Sequence, residues 1–494
     1  MNIKEAKDYI KNTVKLYLKK DEYGDYRIPV MKQRPVFLLG APGIGKTAIM
    51  EQIASELGIA LVSYSMTHHT RQSALGLPFI EKKEYEGISY DVSEYTMSEI
   101  IASIYETMKE SGVKEGILFL DEINCVSETL APSMLQFLQY KVFGRHSVPQ
   151  GWVIVTAGNP AEFNKSVREF DVVTMDRLKV MEVEADYQAW KAYASAKGIH
   201  NAILNFLDSN KDFFYQIETT ASGRSYVTAR GWEDLSDIIF LYEEDKFKVT
   251  ESLVGQYLNN DKIVREFCAY YDLYNKYKTS YRVEELIKGN ISDSTIEKAS
   301  KAPIDERLSL VGLLVDKIKD EIKSFMADAG DLKEMMPALK GIKESDDVLM
   351  SIKKQIDARD TIIANKTKAG SLSSAEKTHH KRIRSFYERL YERVEAVSEK
   401  RSEEVVLCFN EFVSGVKERT PVKQSEIHFM FEVIKRAFGE ESNEMLVAVT
   451  ELTLNDATAQ FMATFGSEDY DKYNALLMVS DRKESLRQEI IDFI

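Results

Sequence analysis

Short apolar runs alternate with amphipathic stretches over the first 184 residues of the chain. The runs are apolar on both faces, as in strands of a parallel sheet that helices cover on each side. Residues 47–57 and 93–109, which lie between these runs, have apolar positions at helical spacing. This alternation predicts an α/β unit with a parallel sheet. The predicted strands are Val36–Leu39, Ala60–Tyr64, Ile117–Leu120 and Val153–Thr156.

The strand pattern stops near Ala185, and the rest of the chain is predicted to be almost entirely helical. Residues 185–248 form a compact helical set, whereas 249–494 are long, charged and helical. Within the latter, residues 368–374 read as a loop between two antiparallel helices. A stripe with 3-4-3 spacing, typical of coiled-coil-like packing, follows the loop at Tyr387, Leu390, Val394 and Val397. The pattern therefore predicts domains at 1–184, 185–248 and 249–494.

The composition of the 494 residues is that of a folded protein, with 44% hydrophobic and 29% charged residues. The longest apolar runs are far shorter than the roughly 20 residues of a membrane span, and the first residues contain no apolar signal segment. Three separated cysteines fit neither a disulfide framework nor a zinc cluster, so we expect a cytoplasmic protein. The net charge of −14 argues against general nucleic-acid binding.

A glycine-rich sequence follows the first predicted strand and opens a helix, which is the context that a phosphate-binding loop requires. Its glycines let backbone amides surround a phosphate at the positive end of the helix dipole. Lys46 is expected to reach the β- and γ-phosphates, and the Thr47 hydroxyl to ligate Mg²⁺. The pattern GxxxxGK[ST] comprises Gly40, Ala41, Pro42, Gly43, Ile44, Gly45, Lys46 and Thr47.

Two later strands end in polar residues that suit ATP hydrolysis. Asp121 and Glu122 end the apolar run of residues 116–120; Asp121 can hold Mg²⁺, and Glu122 can polarise the attacking water. Asn159 follows the strand at residues 153–156 and can hydrogen-bond that water or the γ-phosphate. An Asn-Pro pair alone is an ordinary turn, so this interpretation depends on the two motifs that precede it.

These motifs resemble those of AAA+ ATPases, and within them the MoxR-like and dynein-related branch. The resemblance rests on GAPGIGKT, GILFLDEIN and VIVTAGNP and covers about residues 30–245. Members of that branch have a helix and a β-hairpin before the third motif. Residues 132–140 read as this helix and 141–148 as the hairpin, turning at Gly144 and Arg145. The implied fold is an α/β P-loop core, followed by an α-helical lid and a long all-α region.

The resemblance also implies roles for several arginines. Arg177, in Asp-Arg-Leu where the family has an aromatic residue after the arginine, corresponds to the finger that reaches a neighbouring subunit's nucleotide. Arg168 is an alternative for that role. Arg230, at the start of a predicted helix, corresponds to the second sensor in the lid. Residues 67–78 occupy a position that in the family faces the central channel or a partner, but a structural loop is equally compatible.

By resemblance, the chain is expected to be a homohexameric, Mg²⁺-dependent ATPase that remodels or matures a protein client. Such proteins often act with a partner that has a von Willebrand factor A domain. Two alternatives are a nucleic-acid-associated motor that uses NTP and a regulatory switch with slow turnover. Residues 249–494 match no domain that we recognise, and their charged helices favour scaffolding or partner docking over chemistry.

Overall fold

The computed structural model describes residues 1–68, 70, 72, 74, 76–143, 145–164, 166–220, 223–370, 372–397 and 400–476. The chain divides into two compact units. The first unit comprises residues 1–190, 228–230 and 356–384. The second unit comprises residues 191–227, 231–355 and those from 385 onward. The three predicted domain boundaries remain a prediction, but residues 356–384 pack with the first unit although they lie within the predicted third domain.

The first unit is built on a five-stranded parallel sheet whose strands, from one edge to the other, are β2 (Ala60–Ser65), β5 (Gly116–Asp121), β8 (Trp152–Gly158), β1 (Val36–Gly40) and β9 (Lys179–Val183). The register places Ser65 beside Asp121 and Leu39 beside Gly158, so the carboxyl ends of four strands meet at one edge. The four predicted strands and the α/β class are confirmed. The fifth strand, β9, was not predicted, because its Lys and Glu interrupt the apolar pattern.

Two antiparallel hairpins accompany this sheet. The longer one, β3 (Pro78–Tyr85) and β4 (Ile88–Tyr95), is exposed at nearly every position. Its apolar residues do not alternate with a buried face, which explains why the sequence pattern missed it. The predicted helix at 93–109 is therefore wrong at its start: Ser93 belongs to β4, and the helix is Glu99–Ser111. The shorter hairpin consists of β6 (Val142–Phe143) and β7 (His146–Ser147).

Helices cover the sheet and enclose a core that includes Phe37, Leu118, Leu120 and Ile154. The helix Lys46–Leu57 begins with Lys46 itself and ends at Gly58 in a left-handed conformation. The other described α-helices within residues 1–190 are Ile3–Tyr17, Glu99–Ser111, Ala131–Tyr140, Val172–Met175 and the first four residues of Tyr187–Lys197.

The second unit is mainly helical, with one antiparallel hairpin, β10 (Gln216–Thr220) and β11 (Gly223–Val227). The prediction that strands end near Ala185 is therefore wrong at this hairpin, whose polar strands lack an apolar face. None of the described helices combines the length and apolar character needed to cross a bilayer. The helix Asn201–Ser209 precedes this hairpin. The described α-helices that follow it are Ala229–Glu244, Glu251–Val254, Asp261–Tyr281, Val283–Ile287, Asp293–Ser300, Ile304–Lys343, Val348–Lys368, Ser374–Glu395, Arg401–Phe438, Asn443–Leu454 and Asp456–Phe465.

The predicted loop near residue 370 does separate two helices, Val348–Lys368 and Ser374–Glu395. In the first unit this loop caps the outer strand of the sheet, because the amide of Leu61 donates to the carbonyl of Ala369 at 2.7 Å. Ala369 is 1% exposed and belongs to the sheet's core. Of the predicted stripe, Tyr387, Leu390 and Val394 are fully buried, while Val397 lies beyond the helix end.

Candidate functional site

The loop between β1 and the helix Lys46–Leu57 is shaped by glycines. Gly43 and Gly45 have φ angles of +74° and +96°, which side chains other than glycine rarely adopt. A Cβ on Gly43 would lie 2.9 Å from the Thr228 side chain, and one on Gly40 would lie 2.6 Å from the Val183 carbonyl oxygen. At these three positions the loop therefore has no side chain that could enter the space for a phosphate.

The Lys46 side chain is buried at the bottom of this loop, with the residue only 8% exposed. Its Nζ donates to the carbonyl oxygens of Gly40 (2.7 Å) and Ala41 (2.8 Å) and to Oδ1 of Asn159 (2.9 Å). Burial lowers the pKa of Lys46 to about 8, against the opposing charges of the nearby acidic residues. All three acceptors are uncharged, so a phosphate oxygen would be a stronger partner for this ammonium group.

Thr47 and Asp121 place two oxygen donors side by side. The Thr47 hydroxyl donates to Oδ2 of Asp121 at 3.0 Å, while Oδ1 of Asp121 accepts from the amide of Glu122 at 2.9 Å. Hydroxyl and carboxylate oxygens are the ligands that Mg²⁺ prefers. The pair therefore fits a Mg²⁺ ion that arrives with a nucleotide.

Glu122 directly follows β5 and has a left-handed backbone with φ 56°. Its Oε2 accepts hydrogen bonds from Oγ of Ser65 at 2.7 Å and from Oγ1 of Thr67 at 3.0 Å. Ser65, which directly follows the predicted strand Ala60–Tyr64, was not among the predicted site residues, because no strand order was predicted that would place it beside Glu122. Thr67 lies in the segment whose role was left open; of that segment, His69, Arg71, Ser73 and Leu75 lie outside the described residues.

Asn124 holds the backbone of Asn159 in place and was not among the predicted site residues. Nδ2 of Asn124 donates to the carbonyl oxygen of Asn159 at 2.8 Å, and Asn124 is 3% exposed. A Cβ on Gly158 would clash with Oδ1 of Asn124, so the amide packs directly on the end of β8. Asn124 thereby connects the segment after Glu122 with the residue that contacts Lys46.

Arg230 lies in the first turn of the helix Ala229–Glu244, as predicted, and its amide donates to the carbonyl oxygen of Gly43 at 3.3 Å. Its positive charge also contributes to the lowered pKa of Lys46. The structure therefore brings Lys46, Thr47, Asp121, Glu122, Asn159 and Arg230 to one edge of the sheet.

The two candidate finger arginines differ in their surroundings. Arg177 is exposed between the helix Val172–Met175 and β9, and its Nη1 donates to Oε1 of Gln139 at 2.6 Å. Arg168 pairs with Glu128. Arg168 also lines a 260 Å³ cavity together with Asn159, so it lies near the same chain's own site.

The predicted helix and hairpin before β8 are present as Ala131–Tyr140 and the β6–β7 pair, although Gly144 in the turn lies outside the described residues. Arg145 of this hairpin forms an ion pair with Glu94 of β4. The two hairpins of the first unit are thus linked to each other.

Residues 36–177 match the model of the ATPase family associated with various cellular activities (AAA). This segment contains the phosphate loop, Asp121, Glu122, Asn159 and Arg177. The match supports an ATPase of the AAA+ type, a family whose members bind nucleotide, hydrolyse ATP and typically assemble as rings. No curated protein matches the chain.

Proposed function

We propose that the chain is a ring-forming, Mg²⁺-dependent ATPase of the MoxR-like branch that remodels or matures a protein partner. The observation that carries the proposal is the hydrogen bonding of buried Lys46 to both the phosphate loop and Asn159. This contact holds the ends of β1 and β8 together around one cation. The pair Thr47 and Asp121 lies at the same edge and would hold Mg²⁺, which when bound neutralises phosphate charge.

Each of the residues at this edge of the sheet has its own role in the proposed hydrolysis. Lys46 binds the terminal phosphates by charge, and Arg230 adds a second positive charge from the start of its helix. Glu122 orients a water molecule and accepts its proton. Asn159 donates through its amide nitrogen to that water or to the γ-phosphate, because its Oδ1 is occupied by Lys46.

The proposed ring assigns Arg177 to the neighbouring subunit's nucleotide. Its guanidinium is exposed and contacts a neutral amide, so its charge is available to a phosphoryl group. Arg168 is less suited to act in trans, since it pairs with Glu128 and lines the cavity of its own chain's Asn159.

The remodeling role rests on the resemblance and on the β6–β7 hairpin that precedes β8. The acidic chain favours protein clients over nucleic acid, and a partner with a von Willebrand factor A domain is the expected collaborator in the cytoplasm. The helices after residue 249 are proposed to dock such partners.

Mixing two inactive variants tests the ring and the trans finger together. Lys46→Ala subunits lack the phosphate contact but keep Arg177, whereas Arg177→Ala subunits keep an intact phosphate loop. Mixed rings would contain interfaces with both residues, so ATPase activity should reappear with a maximum near equal ratios. Mixed assemblies that form, as shown by native mass spectrometry, but stay inactive at every ratio would contradict a trans Arg177. Mixing Lys46→Ala with Arg168→Ala is the matched control for the alternative finger.

Stimulation of the unaltered protein's ATPase activity by DNA would instead favour the nucleic-acid motor.

A further inference from the structure

The second unit contains a partly open cavity of 530 Å³ that includes none of the proposed ATPase residues. It lies where the start of the helix Asn201–Ser209 meets the end of Asp261–Tyr281 and the middle of Ile304–Lys343. Its volume falls within the roughly 300–1,000 Å³ that small organic ligands occupy in proteins.

Two basic side chains on this cavity, Arg282 and Lys323, form no ion pair within the described residues, although the charge of Lys323 acts on nearby Asp320. Lys323 packs against Gly198, whose hypothetical Cβ would be 3.1 Å from Nζ. Lys278 is a third basic residue on the wall, and its ion pair is long, because its Nζ lies 3.8 Å from Oε2 of Glu243. The positive end of the helix that begins at Asn201 also borders the cavity.

Most of the acidic residues on the cavity wall are already paired. Glu243 accepts from the Tyr271 hydroxyl at 2.8 Å and lies 3.2 Å from Nε2 of His200. Nζ of Lys317 lies 3.6 Å from Oε1 of Glu284, and Nδ2 of Asn290 donates to Oε2 of Glu285 at 2.6 Å.

The two remaining acidic residues on the wall are Asp316, which accepts a hydrogen bond from Nδ2 of Asn205 at 3.4 Å, and Asp320. Burial raises the pKa of Asp316 to about 8, so this residue is largely uncharged at neutral pH. Burial also raises the pKa of Asp320, while the charges of Lys317 and Lys323 oppose that rise. The wall has five lysine or arginine side chains and five carboxyl groups, so with Asp316 largely uncharged it has one more positive than negative charge at neutral pH.

The backbone at Arg282 supports a ligand-binding role for this side chain. Arg282 has φ 49° at the junction of the helices Asp261–Tyr281 and Val283–Ile287, a conformation that favours glycine. Strained residues of this kind are concentrated at ligand-binding sites. A glycine would relieve the strain and would remove the charge from the cavity.

We propose that this cavity binds a small organic phosphate monoester. Its dianionic phosphate would lie between Arg282 and Lys323, where bidentate contacts to the guanidinium are favourable. Its organic part would pack on the apolar wall that Ile199, Leu204, Phe240 and Leu313 provide.

Phenyl phosphate is a suitable probe, because it combines a phosphate monoester with an apolar ring. Calorimetry uses the full-length Lys46→Ala variant, so that phosphate binding at the phosphate loop does not add to binding at this cavity. Phenol serves as the uncharged control. Phenyl phosphate should bind saturably and phenol should not. Arg282→Gly and Lys323→Ala should each weaken binding at least about tenfold. Lys301→Ala, a 74% exposed lysine outside the cavity wall, should leave it unchanged.

The Arg282→Gly variant also gives a readout that a structural role would not produce. Because glycine tolerates φ 49°, its unfolding temperature should rise while its affinity for phenyl phosphate falls. Absence of saturable binding, or binding that neither Arg282→Gly nor Lys323→Ala weakens, would overturn the proposal. A lower unfolding temperature with unchanged affinity would assign Arg282 to the fold instead.

Discussion

Nζ of Lys46 donates a hydrogen bond to Oδ1 of Asn159 at 2.9 Å, across 113 positions of the chain. The bond joins the end of β8 to the start of the helix that follows β1. It leaves the Asn159 amide nitrogen as the group that can donate to a water molecule or a phosphate oxygen. A change at either residue should therefore act on the reaction as well as on the loop.

We expect Asn159→Ala to lower kcat for ATP hydrolysis about 100-fold, since it removes one oriented donor from the site. Nucleotide affinity should change far less, because Lys46 keeps its contacts with the Gly40 and Ala41 carbonyls. Steady-state ATPase assays and ADP titration calorimetry measure the two effects separately. A loss of affinity with unchanged kcat would assign Asn159 to binding alone. Asn164→Ala, a nearby asparagine that contacts Cys125, is the matched control.

Nucleotide affinity should decrease as the pH rises above about 8. Burial lowers the pKa of Lys46 to about 8 in the unliganded protein, so the ammonium group loses its proton above that pH. Bound phosphate favours the charged form and raises this pKa, so binding at higher pH requires proton uptake. By linkage, ADP affinity should fall by up to about tenfold per pH unit until the pKa of the complex is reached.

Calorimetry in two buffers of different ionisation enthalpy measures this proton uptake directly. The uptake should approach one proton per ADP at pH 9 and should be small at pH 7. A flat affinity from pH 7 to 9.5 without proton uptake would show that Lys46 is not the group that titrates.

The hydroxyls of Ser65 and Thr67 should influence turnover through Glu122. Removing both in Ser65→Ala/Thr67→Ala frees the carboxylate from two hydrogen bonds of 2.7 and 3.0 Å. We expect kcat to change by about tenfold, with ADP affinity unchanged, because neither hydroxyl contacts the phosphate loop. Thr129→Ala, a hydroxyl that bonds Ser127 elsewhere in the unit, should alter neither quantity.

The loop near residue 370 offers a stability test of its contact with β2. Gly370 has φ +64°, and a Cβ there would lie 2.8 Å from the Leu61 carbonyl oxygen. Gly58 has nearly the same φ, +66°, but open space around a Cβ. Gly58→Ala should cost about 1 kcal/mol from backbone strain alone. Gly370→Ala should cost about 2 kcal/mol more, because the contact with β2 must also shift.

Chemical denaturation of the two variants compares these costs under identical conditions. Equal destabilisation by Gly58→Ala and Gly370→Ala would indicate that the loop does not pack closely on β2 in solution.

The sequence predicted the parts of the site that a continuous motif encodes. Buried strands and the residues at their ends, such as Asp121 and Asn159, could be found because the apolar pattern locates where parallel strands end. Ser65 and Asn124 could not be assigned roles in the same way, since their contacts depend on the register of β2 beside β5 and on packing behind β8. The β3–β4 and β10–β11 hairpins were missed because exposed strands lack the alternation that marks a half-buried sheet. The docking of residues 356–384 on the first unit joins positions about 300 apart in the chain, which local periodicity does not report.

ATP hydrolysis by Glu122→Gln, compared with the unaltered protein, tests whether Glu122 activates the attacking water. The substitution keeps the size of the side chain and removes the group that accepts the water proton. We expect Glu122→Gln to bind ATP with nearly unchanged affinity in Mg²⁺ and to lose at least about 100-fold in kcat. Full hydrolytic activity in this variant, or absence of ATP binding by the unaltered protein, would show that this site does not hydrolyse ATP as proposed.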